Sequence, residues 1–420
     1  MEIIAQQQTL LYVLAYGFGL YMTWGIGANG VASSMGTSVG SGAITVRQAV
    51  VLAAIMEFCG AYLAGGEVAD TISKDIIDGR LFEPVPHLLV FGMLGALLAA
   101  GIWLMIASMR GWPVATTHTI VGAVCGVAIA ALGVDAVQWA TMGEIVASWF
   151  ISPVLGGMVA LLLTMSIRKL IFNTENPVSR ARQWGPVYAF LVGWIVSLIT
   201  ISKGLAHVNI HIGSLAGQML AVAIGVVVAA AARLMMNRVK LDAHSDRILQ
   251  HASVEHLFIP QMVFTGAAMA FAHGSNEVAN GIGPMAAVIQ TIASGEVSAS
   301  SPITPFILFV GSLGMVAGLT TYGYKVMATL GHRITELTPT RAYCATVAAA
   351  SVTVAASGLG LPVSTTHIAV GAVMGVGIAR GIGALDLRVV GGIIVSWFIT
   401  VPVGALLGAL IFHLLKAAFS

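Results

Sequence analysis

Apolar blocks about 20 residues long follow one another along most of this chain, and at 1.5 Å rise per residue each matches a hydrocarbon core of roughly 30 Å. That feature dictates the fold class. Lipid offers no partner to a bare amide, so the backbone of each crossing must be satisfied within a helix. Charge agrees: only 9% of the 420 residues are charged, against roughly a quarter in soluble domains. The formal net charge of +2 gives nucleic acid no basic surface to bind.

Blocks bounded by charges or Gly/Pro clusters predict crossings near 9–27, 46–66, 87–109, 113–133, 141–166, 186–202, 212–236, 257–285, 303–326, 342–358, 362–380 and 388–415. The expectation is an all-α polytopic membrane protein with about twelve transmembrane segments. Basic loops stay cytoplasmic, and with these crossings fifteen Lys and Arg residues fall on one side. Lys74, Arg80, Lys203 and Lys416 fall on the other. Both termini should then face outward, in a multi-pass protein of the cell (inner) membrane. Met1 to Gln8 carry one charge, Glu2, and lack the positive start of a cleavable signal, so the first block should remain as a helix. Cys59, Cys125 and Cys344 stand alone in apolar segments and read as packing residues, not as a disulfide or metal framework. No cofactor is expected.

Three elements recur at nearly one offset. Asn29 in Gly27-Ala-Asn-Gly-Val-Ala-Ser-Ser34 matches Asn276 in Gly274-Ser-Asn-Glu-Val-Ala-Asn-Gly281, 247 residues on. Pro113-Val-Ala-Thr-Thr-His118 matches Pro362-Val-Ser-Thr-Thr-His367 at 249, and Ser148-Trp-Phe-Ile151 matches Ser396-Trp-Phe-Ile399 at 248. Residues 1–166 and 257–420 are therefore two copies of one unit, joined by linking helices and a cytoplasmic loop over 167–256. The copies start at the first and eighth predicted crossings. Seven is odd, so they should be inverted repeats that meet at a substrate site with broken or re-entrant helices.

Chemistry should gather where polar sequence interrupts apolar sequence. The stretches 25–42 and 273–284 are rich in Gly, Ser, Thr and Asn and predict helix breaks lining a central cavity; taken alone, 25–42 also fits a loop leaving the membrane. Each Pro-Val-x-Thr-Thr-His element reads as a helix start, where free amides and the helix dipole favour an anion. Thr116, Thr117, Ser364, Thr365 and Thr366 are the expected anion contacts, with Asn29 and Asn276 beside them. His118 and His367 could bond the anion, relay a proton or cap a neighbouring carbonyl. Carboxylates inside apolar helices are rare because each costs roughly 2.5–3.5 kcal/mol at a helix centre, so Glu57 and Glu277 are the expected cation ligands. Asn29, Asn276, Asn280 and Ser33 add neutral oxygens of the kind sodium prefers.

These motifs, over essentially the whole chain, resemble the PiT family of inorganic phosphate transporters. The family carries a Gly-Ala-Asn-Asp-Val-Ala-Asn type signature in each half, followed by a Pro-Val-Ser-Thr-Thr-His type element. The resemblance implies a secondary active transporter, not an enzyme, that imports inorganic phosphate with sodium or protons by alternating access, as a homodimer in the bilayer. A sulfate or other oxyanion permease, or an anion channel, would use the same scaffold. The chain departs from the signature at Gly30, where the family has Asp, at Ser33, where it has Asn, and at Glu277, where it has Asp. One intramembrane carboxylate is missing, which bears on whether a sodium ion is lost, a proton replaces it, or another oxyanion is preferred.

Overall fold

The computed structural model describes residue 4 and residues 6–66, 76–199, 201, 214–238, 246–297, 303–359, 361 and 363–419. Those residues are almost entirely helical. The first half contributes α1 (Gln8–Gly40), α2 (Val46–Ala64), α3 (Pro86–Met109), α4 (Thr116–Leu132) and α5 (Trp139–Ile167). Then come α6 (Pro177–Ile199) and α7 (Ser214–Arg238). The second half holds α8 (Arg247–Glu277), α9 (Ala279–Ser294), α10 (Pro305–Thr321), α11 (Gly323–His332), α12 (Pro339–Gly358), α13 (Thr365–Arg380) and α14 (Leu387–Phe419). Pro362, the expected start of the second Thr-Thr-His element, lies outside the described residues, as do Lys74 and Lys203.

Every predicted crossing contains a helix, but fewer qualify as spans. Among the described residues seven helical stretches are long and apolar enough to cross a membrane, and an eighth if α10 and α11, bent by 68° at their junction, count as one. α4 has 17 residues and α13 has 16, so each rises only about 25 Å, short of the roughly 30 Å core. At the other extreme, the 48 residues from Arg247 to Ser294 form one stretch.

The predicted break over 25–42 does not occur. α1 runs through it to Gly40, and residues 25–38 are all buried. Glycine weakens an isolated helix by about 1 kcal/mol, but here small residues let other helices approach closely enough to fix the segment. A Cβ on Gly27 would overlap the Met315 carbonyl of α10, and one on Gly274 would overlap the Glu57 carbonyl of α2. The matching stretch 273–284 is interrupted only at Val278, between α8 and α9.

Helix starts follow local chemistry. Thr45 caps α2 in a capping box with Gln48, and Thr304 caps α10 ahead of Pro305. α4 and α13 both end at a glycine with positive φ, Gly133 at 94° and Gly381 at 113°, a conformation that disfavours any Cβ.

The packing repeats as the sequence does. α1 packs on α10 as α8 packs on α2, and α4 packs on α14 as α13 packs on α5. Loop ties recur as well: the Asp78 amide bonds the Ala136 carbonyl, and the Thr335 hydroxyl bonds the Ala384 carbonyl. Two apolar cores result. One holds the first part of α1 up to Ile26, with α3, α4, α9 and the end of α14. The other holds α1 from Val31, with α2, α8, α12 and α13. Asn29 and Glu277 fall on the seam between them. The outer faces of α5, α7 and α14 expose apolar side chains such as Phe150, Leu162, Met219, Val227, Phe398 and Leu414, which suits contact with acyl chains.

Candidate functional site

Extended residues place the starts of α4 and α13 deep in the protein: Val114, Ala115, Val363 and Ser364 are at most 1% exposed. A helix start leaves amides without partners, and Ser364 meets one need by accepting a bond from the His367 amide at 3.3 Å. Thr116 and Thr365, the first residues of the two short helices, both reach one carboxylate. The Thr116 hydroxyl donates to Glu277 Oε2. Thr365 donates to Glu277 Oε1 through its hydroxyl at 2.8 Å and its amide at 3.3 Å. Asn280 Nδ2 adds a bond to Oε2 at 2.7 Å. With 1% exposure, Glu277 has these donors in place of water.

Around this centre the halves exchange contacts in matched pairs. Thr117 accepts from Asn280 at 3.3 Å and donates to the Val363 carbonyl at 3.2 Å. Its counterpart Thr366 shares a 3.0 Å hydroxyl contact with Ser33, and Ser33 is the first-half counterpart of Asn280. The structure thus gathers Thr116, Thr117, Thr365, Thr366, Ser364, Ser33, Glu277 and Asn280 in one buried cluster; Asn276 is buried one position before Glu277.

Four expected site residues, Asn29, Glu57, His118 and His367, lie outside that cluster. Asn29 turns to the loop before α4: its Nδ2 donates to Ser108 Oγ at 3.2 Å and the Trp112 carbonyl at 2.8 Å, and its Oδ1 accepts from the Val114 amide at 3.1 Å. It shapes that loop and has little capacity left for an ion. Replacing Asn29 with Ala should therefore lower thermal stability in detergent by about 2–4 kcal/mol, from buried groups left without partners, as read from the unfolding midpoint. Glu57 forms no bond with the Thr-Thr starts. It accepts from Ser34 at 3.0 Å and lies 3.2 Å from His273 Nδ1. His118 and His367 turn their Nδ1 atoms to the carbonyls of Trp397 and Trp149, each at 3.4 Å.

The two histidines form a crossed pair. His118 stacks on Trp149 and His367 on Trp397, both with centroids 3.6 Å apart, and the imidazoles meet edge to face at 4.2 Å. Beyond them lies an apolar cleft of about 830 Å³ between α5 and α14. Almost no polar surface lines it, so an anion would find donors at the Thr-Thr starts and not there.

The residues missed from sequence are Ser34, Ser108 and His273. His273 carried a signal, since it stands four residues before Glu277 on the same face of an apolar helix. The tryptophans recurred in Ser-Trp-Phe-Ile and were read only as markers of duplication. No group of three or more His, Cys, Asp or Glu side chains that could hold a metal occurs among the described residues, and the three cysteines are free.

Residues 26–408 match the sequence pattern described as the phosphate transporter family. A Haemophilus influenzae protein named as a phosphate permease is 44% identical over all of both chains. The chloroplastic inorganic phosphate transporter 2-1 of Arabidopsis thaliana is 40% identical over 97% of this chain and 72% of its own. A solved structure titled as the sodium-dependent phosphate transporter superposes with a TM-score of 0.90 at 36% identity, over 97% of this chain and 99% of its own. With a match spanning the buried Thr-Thr cluster and nearly every helix around it, the chain belongs to the phosphate transporter family.

Proposed function

We propose that the protein is a secondary active transporter that brings inorganic phosphate into the cell together with sodium, by alternating access around the cluster at Glu277. One observation carries this reading: Thr116 and Thr365, the first residues of two helices from opposite halves, aim their donors at the same carboxylate. Paired helix starts with hydroxyl and amide donors form a site for an oxyanion. In the present arrangement the Glu277 carboxylate receives those donors. An oxyanion and a carboxylate repel each other, so a cation between them is needed for both to share the site. Sodium fits that place, with oxygens from Glu277, Asn280, Thr117, Thr366 and Ser33 nearby, and the name of the superposed transporter supports the same ion.

The matched sequence elements and reciprocal packing support two repeats of five helical units, inserted in opposite directions within a chain of about twelve segments. The bias of Lys and Arg supports outward termini in the cell membrane.

Uptake of phosphorus-32 phosphate into proteoliposomes tests the reading. Accumulation should follow an inward sodium gradient, and excess unlabelled sulfate should compete poorly. Accumulation that ignores every imposed cation gradient, or prefers sulfate, would defeat it. Thr116→Val and Thr365→Val should each lower uptake at least roughly tenfold, since the loss of one bond to a charged group is worth about 1.5–3 kcal/mol, at roughly 1.4 kcal/mol per tenfold. The double variant should fall by less than the product of the two, because both hydroxyls serve one carboxylate.

A further inference from the structure

The two copies of the Asn motif differ at the buried position after the Asn. In the second half Asn276 is followed by Glu277; at the same offset of 247 residues, Asn29 is followed by Gly30. A carboxylate sits on the seam in one half and bare backbone in the other. The space at Gly30 is filled. A side chain there would overlap Nε2 and Cε1 of His273, which reaches across from α8. The same ring places Nδ1 3.2 Å from Oε1 of Glu57 on α2, with both side chains fully buried. The spacing is that of an ion pair, although the angle is not that of a hydrogen bond.

Glu57 has no counterpart in the other half. Gly274 crosses α2 at the Glu57 carbonyl and Gly27 crosses α10 at the Met315 carbonyl, so Met315 is the matching residue. The counterpart of His273 is Ile26, by the same offset. One half therefore has a carboxylate beside the Asn and two apolar residues behind it. The other has a glycine beside the Asn, with an imidazole and a carboxylate behind. Among the described residues, Nε2 of His273 and Oε2 of Glu57 have no hydrogen-bond partner.

We propose that His273 fills the first-half counterpart of the Glu277 cation site, so that the protein binds one sodium ion where a symmetric pair of motifs would bind two. The ring occupies the volume a residue-30 carboxylate would need, and it contacts Glu57 where a metal cation would otherwise sit. His273 is then a residue that sets coupling stoichiometry. This rests on the sodium-coupled reading above.

The test pairs Gly30→Asp with the double variant Gly30→Asp/His273→Ala, which adds the carboxylate and clears the ring. Sodium-22 binding to purified protein and the sodium dependence of phosphate uptake are measured for both and for the natural chain. The natural protein should bind one sodium ion per chain. The double variant should bind one more, with a Hill coefficient for sodium higher by about one. Unchanged sodium binding in a folded double variant would overturn the inference, as would an extra ion bound by Gly30→Asp with the ring still in place, or two or more ions bound by the natural protein. If phosphate uptake by the natural protein ignores sodium altogether, the sodium-coupled reading itself fails. If sodium drives uptake but the double variant does not change its order, only the role of His273 fails.

Discussion

Glu277→Gln should reduce sodium-driven phosphate uptake about 100-fold while leaving the protein folded, since on the proposed reading it removes a charge that four donor groups and one cation share, at roughly 1.4 kcal/mol per tenfold. The glutamine keeps the shape and one acceptor oxygen, so Thr116 or Thr365 retains a bond. What disappears, on the proposed reading, is the negative charge that holds a cation beside the oxyanion. Asn280 Nδ2, now 2.7 Å from Oε2, would face an amide that cannot satisfy it in one of its two orientations. Glu277→Asp keeps the charge but withdraws it by one methylene, and should recover part of the activity with a weaker sodium affinity. Uptake against sodium concentration for the three proteins checks this. Equal uptake by the Gln variant and the natural protein would remove Glu277 from the transport cycle.

The second large effect concerns folding. Gly274→Val should prevent stable assembly, because a side chain there overlaps the Glu57 carbonyl at the crossing of α8 and α2. Overpacking usually costs about 1–3 kcal/mol, and here backbone would have to move at a place that also sets the Glu57 and His273 contact. Fluorescence-detected size exclusion in mild detergent should show aggregate in place of a single peak. Gly17→Val, where nothing lies within reach of an added Cβ, should give the natural profile.

Much of this fold was legible because lipid simplifies the code. Apolar blocks report helices almost directly, and each predicted block contains one. The limits of that signal show at α1. Its Gly- and Ser-rich second part read as a break because local propensity argues against helix there, yet close crossings with other helices decide the matter, and those depend on residues hundreds of positions away. The scarcity of buried carboxylates pointed to Glu277 and Glu57 alike. It could not separate their surroundings, since Glu57 is met by Ser34 of α1 and His273 of α8, and Glu277 by Thr116 and Thr365 where α4 and α13 begin, with Asn280 of α9. Asn29 illustrates a different blind spot: an amide suited to an ion is equally suited to a loop, and only the path of residues 108–114 shows which it serves.

The crossed histidines restrict how this molecule can move. Each imidazole leans on one tryptophan and reaches the main chain of the other, so the beginnings of the two short helices are latched to α5 and α14 together. Sliding one of them alone would unstack a ring, strand a buried nitrogen and pull on both long helices. The pair is in effect a rivet through the two copies.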